Sequence, residues 1–135
     1  MKRFLDSSVL VESCLSQSSG FGAAAALLNT AGTLTSAHAL AEAYATLSGD
    51  PRLGIKPADA ARMVADLARN LTVHALTAPD YQRLIAQGPD RGIRGGIIYD
   101  ALHAETARQC GCTQVHTLNV THFRHVAPDL AIVGL

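Results

Sequence analysis

The chain has 135 residues, 48% of them hydrophobic, and its 11 basic side chains balance 11 acidic ones. That length suits one domain, residues 1–135, and so much apolar material at moderate charge excludes a disordered chain. A formal charge of zero argues against a broadly basic nucleic-acid surface, and 4% aromatics without tryptophan argue against a single-strand binder built mainly on stacking.

Short apolar runs alternate with helical periods along the whole chain. Lys2 to Leu5 reads as a first strand, and Ser7 and Ser8 can cap a helix from Val9 to about Leu15. After the turn Gln17-Ser18-Ser19-Gly20, an alanine-rich helix runs from Phe21 to Asn29 and Gly32 closes it. Thr33 to Thr35 is a second strand, and Ser36 caps a helix from Ala37 to about Leu47. Ser48-Gly49-Asp50-Pro51 breaks it. Pro57 then opens a helix that reaches about Asn70, where proline's missing N–H is harmless.

Leu71 to Leu76 alternates like a strand. Thr77 caps a helix with Pro79 in its first turn, ending near Gln87-Gly88-Pro89. Asp90 to Gly96 is a loop with three glycines and two arginines. Ile97 to Cys110 is helical, and Gly111 stops it. Thr113 to His116 is a strand, Thr121 to His125 a short helical turn, and Leu130 to Val133 a last strand. Strands alternating with helices predict an α/β fold with a parallel sheet covered on both faces. In such sheets, sites form outside the carboxyl ends of the strands.

Three cysteines, Cys14, Cys110 and Cys112, cannot all pair within the chain, which fits a reducing compartment. Arg3, Asp6 and Glu12 interrupt the first fifteen residues, so no signal peptide is expected there. No apolar run is long enough to cross a bilayer. A cytoplasmic location without membrane contact is the expectation.

Four polar side chains stand out against this background. Asp6 closes the run Arg3-Phe4-Leu5, and Glu42 interrupts the apolar face of Ala37 to Leu47. Asp100 follows Gly96-Ile97-Ile98-Tyr99, and Asn119 follows Val115-His116-Thr117-Leu118. An acid against apolar neighbours is costly to desolvate unless something positive pairs with it. No lysine or arginine is adjacent to these four, so a shared divalent cation is the simplest partner. Mg²⁺ and Mn²⁺ prefer oxygen ligands and keep several waters, which suits two or three carboxylates and an amide. Asp6 and Asp100 are the candidate direct ligands, with Glu42 as a ligand or the holder of a metal-bound water. Asn119 contributes an oxygen or orients water. Taken singly, each acid has an ordinary reading as a helix cap, a solvated helix side chain or a helix-dipole partner.

The segments Phe4-Leu5-Asp6-Ser7-Ser8-Val9-Leu10, Thr35-Ser36 leading to Ala41-Glu42-Ala43-Tyr44, Tyr99-Asp100-Ala101-Leu102 and Thr117-Leu118-Asn119-Val120-Thr121-His122-Phe123 resemble, in order, the four motifs of PIN-domain ribonucleases. The closest subgroup is the VapC-type toxins of bacterial toxin–antitoxin pairs, and the resemblance covers essentially the whole chain. It implies a three-layer α/β/α fold and Mg²⁺- or Mn²⁺-dependent hydrolysis of RNA by an activated water. It further implies an acidic pocket of Asp6, Glu42 and Asp100, with the Ser8 and Thr117 hydroxyls lining it as substrate contacts. A cognate antitoxin, an RNA substrate and a homodimer are the implied partners. The chain departs from the fullest pattern at Asn119, which lacks a charge, and at His122, where some relatives carry a further acid. Both departures weaken the case for a tightly held second metal and leave one-metal hydrolysis, or a second ion recruited with substrate.

Weaker signals surround this set. Arg91 and Arg94 flank the glycines before Ile97 and match phosphate geometry, or serve as solubilising loop residues. His103 lies one turn after Asp100 and either assists proton transfer or is packed. Cys110-x-Cys112 with His116, His122 and His125 matches no common zinc spacing. Two further functions compete. A haloacid-dehalogenase-type phosphatase would use Asp6 as nucleophile but needs a second aspartate at position 8, where serine stands. A non-catalytic PIN-like module binding RNA or protein would fit the uncharged Asn119.

Overall fold

The computed structural model describes residues 1–135. Five strands form one sheet in the order β3-β2-β1-β4-β5, with every neighbouring pair parallel. They are β1 (Arg3–Leu5), β2 (Thr33–Ser36), β3 (Thr72–His74), β4 (Gln114–His116) and β5 (Ala131–Val133). Seven helices connect them: α1 (Ser7–Glu12), α2 (Phe21–Leu28), α3 (Ala37–Gly49), α4 (Pro57–Asn70), α5 (Ala78–Gln87), α6 (Ile97–Gln109) and α7 (Val120–Val126). All twelve lie in the expected order, with bounds displaced by a few residues at most.

Parallel strands need crossovers, and the helices that supply them bury both faces of the sheet. Successive side chains on a strand point to opposite faces. On β1, Phe4 joins a core built with Ala101, Ala104, Ala107, Val115, Phe123 and Val126. Leu5, one residue on, joins the second core with Val9, Leu10, Ala24, Ala39, Ala43 and Leu67. The central strand thus divides its residues between an α6–α7 layer and an α1–α4 layer, completing the α/β/α sandwich. Helix α6 is buried over most of its length, and its alanines let it lie close to the sheet.

Local chemistry fixes the helix ends. Thr77 and Asp80 form a reciprocal capping box at α5, with Thr77 N donating to Asp80 Oδ2 at 2.9 Å and Asp80 N to Thr77 Oγ1 at 3.3 Å. Ser36 Oγ accepts from Ala39 N at 2.9 Å and caps α3. Gly111, with φ of 74°, ends α6 in the left-handed region that glycine enters without strain. There Cys112 N reaches Ala107 O at 2.8 Å and Gly111 N reaches Arg108 O at 3.0 Å, the paired bonds of a Schellman turn. At α1 the cap is Asp6, not Ser7 or Ser8. Its carboxylate accepts from Val9 N, so the helix begins two residues earlier than the serines suggested.

The connectivity runs outward from β1 to β2 and β3, then returns to place β4 and β5 on the other side. The reversal lies between β1 and β4, which pair Phe4 with Val115 and Leu5 with His116. A doubly wound sheet opens a crevice beyond its strands at such a reversal. The next residues on the two strands, Asp6 and Thr117, therefore face each other at that crevice. No helix is long and apolar enough to cross a membrane.

Candidate active site

Asp6 is 3% exposed and holds three hydrogen bonds. Its Oδ1 accepts from Ser8 Oγ at 2.5 Å and from Val9 N at 3.2 Å, and its Oδ2 accepts from Thr117 Oγ1 at 2.7 Å. Both hydroxyls accept in turn from the β4–α7 turn: Leu118 N donates to Ser8 Oγ at 2.9 Å and Asn119 N to Thr117 Oγ1 at 2.8 Å. Burial raises the Asp6 pKa, and the three donors pull it back. Ser8 and the wholly buried Thr117, expected beside the substrate, thus turn their hydroxyls onto Asp6.

Asp100 sits in the first turn of α6 with its side chain 14% exposed. Its Oδ2 faces His122 Nδ1 at 3.7 Å, too far for a hydrogen bond. Burial pushes its pKa up from the ordinary 3.8 to about 6. His103 and His122 oppose the rise, whereas the negative charges of Asp6 and Glu42 add to it. Three carboxylates contributed by different parts of the chain therefore share one electrostatic neighbourhood.

Glu42 projects from α3 with its side chain 29% exposed, and its Oε1 meets His103 Nε2 in a short hydrogen bond. His38, one turn earlier on α3, brings Nε2 to 3.9 Å from the same oxygen, and that buried nitrogen has no hydrogen-bond partner. Burial lowers the His38 pKa. Asn119 precedes α7 as its N-cap residue, is exposed, and makes no side-chain cap bond. It lines a shallow depression with Ser7, Ser8, Glu12, Thr46 and Leu118.

No three His, Cys, Asp or Glu side chains form a ready-made metal cluster. The donor chemistry nonetheless suits a magnesium-like ion, which takes one or two carboxylates and keeps several waters. A carboxylate offers about four lone-pair sites, and Asp6 has three engaged, leaving one on Oδ2. Asp100 is a second carboxylate that no hydrogen bond claims. The zinc alternative fails at the first step, because Cys110, Cys112 and the nearby histidines do not assemble. Burial raises the thiol pKa of both cysteines, Cys112 to about 11, so neither is an activated nucleophile.

Both loop arginines are exposed, but Arg91 donates to Val126 O at 3.1 Å, whereas Arg94 makes no hydrogen bond within the protein. Sequence reasoning missed the link from Ser36 through His103 to Glu42, because nothing in the spacing of positions 36, 42 and 103 announces it.

These features define a doubly wound α/β protein with acidic side chains grouped about its switch point. The chain belongs to the PIN domain family, whose pattern matches residues 3–127. It is 40% identical over 74 residues to ribonuclease VapC27 of Mycobacterium tuberculosis, a stretch covering 53% of this chain and 52% of that protein. The match thus spans about half the length of this curated relative. Among solved structures, Mycobacterium tuberculosis VapC20, a Sarcin-Ricin loop cleaving toxin, superposes with a TM-score of 0.68 at 21% identity, covering 84% of this chain and 87% of that one. VapBC2 from Rickettsia felis, bound to a DNA fragment from its promoter, gives 0.69 at 18% identity, covering 100% and 99%. At such identities these two structures speak for the fold.

Proposed function

We propose that this chain is a VapC-type endoribonuclease toxin that hydrolyses RNA phosphodiester bonds with a divalent metal ion. The observation that carries the reading is Asp100: a carboxylate in the first turn of α6, claimed by no hydrogen bond, its pKa raised to about 6, in the field of Asp6 and Glu42. A charge arrangement so costly in the free protein is relieved by a cation. PIN-domain nucleases generally use divalent metal ions, and the VapC27 likeness supports ribonuclease chemistry.

In this reading Asp6 and Asp100 hold Mg²⁺ or Mn²⁺, which lowers the pKa of a bound water and neutralises phosphoryl charge when present. Glu42 and Asn119 orient water, the latter without adding charge. Ser8 and Thr117 fix the Asp6 carboxylate, leaving only its Oδ2 lone pair toward the crevice. Arg94 is the free phosphate contact from the glycine loop. Tyr99 precedes Asp100, is 45% exposed and stacks on His38 with ring centroids 5.1 Å apart, offering a face to an unpaired base. The 1–135 chain acts as one PIN unit in the cytoplasm. It is neutralised by a cognate antitoxin, a reading that the VapBC complex among its structural neighbours supports, and it forms a homodimer.

The phosphatase alternative is opposed by Asp6 itself, whose Oδ1 already accepts two hydrogen bonds, one from the serine at position 8. The test is cleavage of a structured RNA by purified protein with Mn²⁺, with chelator, and with Asp100→Asn. The expected result is cleavage only by the native protein with metal. Equal cleavage by the Asn variant overturns the site. Tight RNA binding without cleavage supports the non-catalytic module.

A further inference from the structure

Glu42 and Asp100 stand on different helices, α3 and α6, and carry charges that repel each other. One side-chain hydrogen bond joins the two helices, between His103 and Glu42. His103 is 1% exposed and lies one helical turn from Asp100. Its ring is wedged among Phe4, His38 and Phe123, with centroid separations of 5.6, 5.7 and 6.4 Å. Its Nδ1 lies 3.1 Å from Ser36 Oγ, which is itself pinned as the α3 cap.

We infer that His103 is a positioning residue that sets the Glu42 carboxylate at a fixed place relative to Asp100. An ionised carboxylate offers only lone pairs, so Nε2 carries the hydrogen and donates it. Ser36 Oγ, which accepts from Ala39 N, completes the arrangement by meeting Nδ1 from the other side of the ring. A chain of hydrogen bonds thus runs from the start of α3 through α6 and back to α3. It holds Glu42 against the repulsion of Asp100 and determines which Glu42 oxygen remains for water. Outer partners that orient the groups around a metal site change affinity or activity by about 10–100-fold when removed.

The effect on rate and metal rests on the nuclease reading, but the hydrogen on Nε2 does not, and the experiment separates them. In ¹⁵N-histidine-labelled protein, His103 is expected to show an exchange-protected Nε2–H that Glu42→Ala exposes to exchange. A His103 ring bare at Nε2, or unaffected by Glu42→Ala, overturns the inference whatever the protein's activity. His103→Phe keeps an aromatic ring among its neighbours and deletes both bonds, whereas His103→Gln restores a donor toward Glu42. With melting points close to native, Phe is expected to lower kcat and Mn²⁺ affinity, read by electron paramagnetic resonance, by about 10–100-fold with KM little changed. Gln is expected to recover the greater part. Native kcat and Mn²⁺ affinity in the Phe variant, or Gln as impaired as Phe, overturns the inference. A native protein that neither binds Mn²⁺ nor cuts RNA sinks the nuclease reading instead, and leaves the labelled-ring result to decide the role of His103.

Discussion

Thr117 Oγ1 donates to Asp6 Oδ2 at 2.7 Å across 111 positions of sequence, and the same oxygen accepts from Asn119 N at 2.8 Å. The parallel register of β1 and β4 brings the two residues opposite each other, and their hydrogen bond closes the switch point. Thr117→Val keeps the shape and removes both bonds. A buried carboxylate and a backbone N–H then lose a partner, at a cost of about 1–3 kcal/mol. Urea unfolding at pH 7 is expected to show that loss, with Thr117→Ser recovering most of it. Native stability in the valine variant would mean that Asp6 does not depend on this hydroxyl.

Asp100 gives the free protein a pH dependence of defined sign. Its folded pKa, about 6, lies above the ordinary 3.8, so the folded chain binds the proton more tightly than the unfolded chain. That contribution is fully present below pH 3.8 and is lost as pH rises through about 6. The metal-free protein therefore carries a burden at neutral pH that Asp100→Asn removes. Two pKa units amount to about 3 kcal/mol, which partial solvent screening reduces to about 1–2 kcal/mol. In chelator, the Asn variant is expected to melt higher than native at pH 7.5 and to lose that advantage near pH 4. An unchanged gap across that range would refute the raised pKa.

Most of the fold is legible in the sequence because its signals are local. Ser36 and Thr77 cap their helices as expected, Pro57 opens α4, and Gly111 ends α6. At α1 the sequence offers three caps, Ser7, Ser8 and Asp6, and the structure takes Asp6, which ends the strand and starts the helix at once. The site was legible as a set of residue types and only partly as geometry. That Asp6 closes a strand and Asp100 stands early in a helix follows from pattern. That Glu42 is held by His103 does not, because the bond spans 61 positions and depends on how α6 settles on the sheet. The neutral composition likewise hides the difference between Arg91 and Arg94, which only the packing of α7 reveals.

That difference makes the two arginines separable. Arg91 donates to Val126 O, a carbonyl that Arg108 also reaches at 3.3 Å, so Arg91 serves the end of α7. Arg91→Ala is expected to cost about 0.5–1.5 kcal/mol of stability, the net worth of one hydrogen bond. Arg94→Ala is expected to leave stability native and to weaken RNA binding, lowering the salt slope by about one unit, as removal of one phosphate contact should. The reverse pattern, with Arg91 governing the salt slope, would relocate the RNA path toward α7.

Metal binding offers the sharpest separation among Asp6, Asp100 and Asn119. A ligand that binds only the folded state adds about 2.7 kcal/mol at a hundredfold excess over its dissociation constant. Mn²⁺ is therefore expected to raise the native melting temperature, and EDTA to reverse the rise. Asp6 has one lone pair left on Oδ2 and Asp100 has both oxygens free of hydrogen bonds, so Asp6→Asn and Asp100→Asn are each expected to abolish the shift. Asn119 is exposed and uncharged, so Asn119→Ala is expected to retain most of it while slowing cleavage. Because protons compete with the ion for Asp100, the shift should shrink as pH falls through about 6. A shift that survives both acid substitutions would place the ion elsewhere and leave the anionic crevice without its proposed occupant.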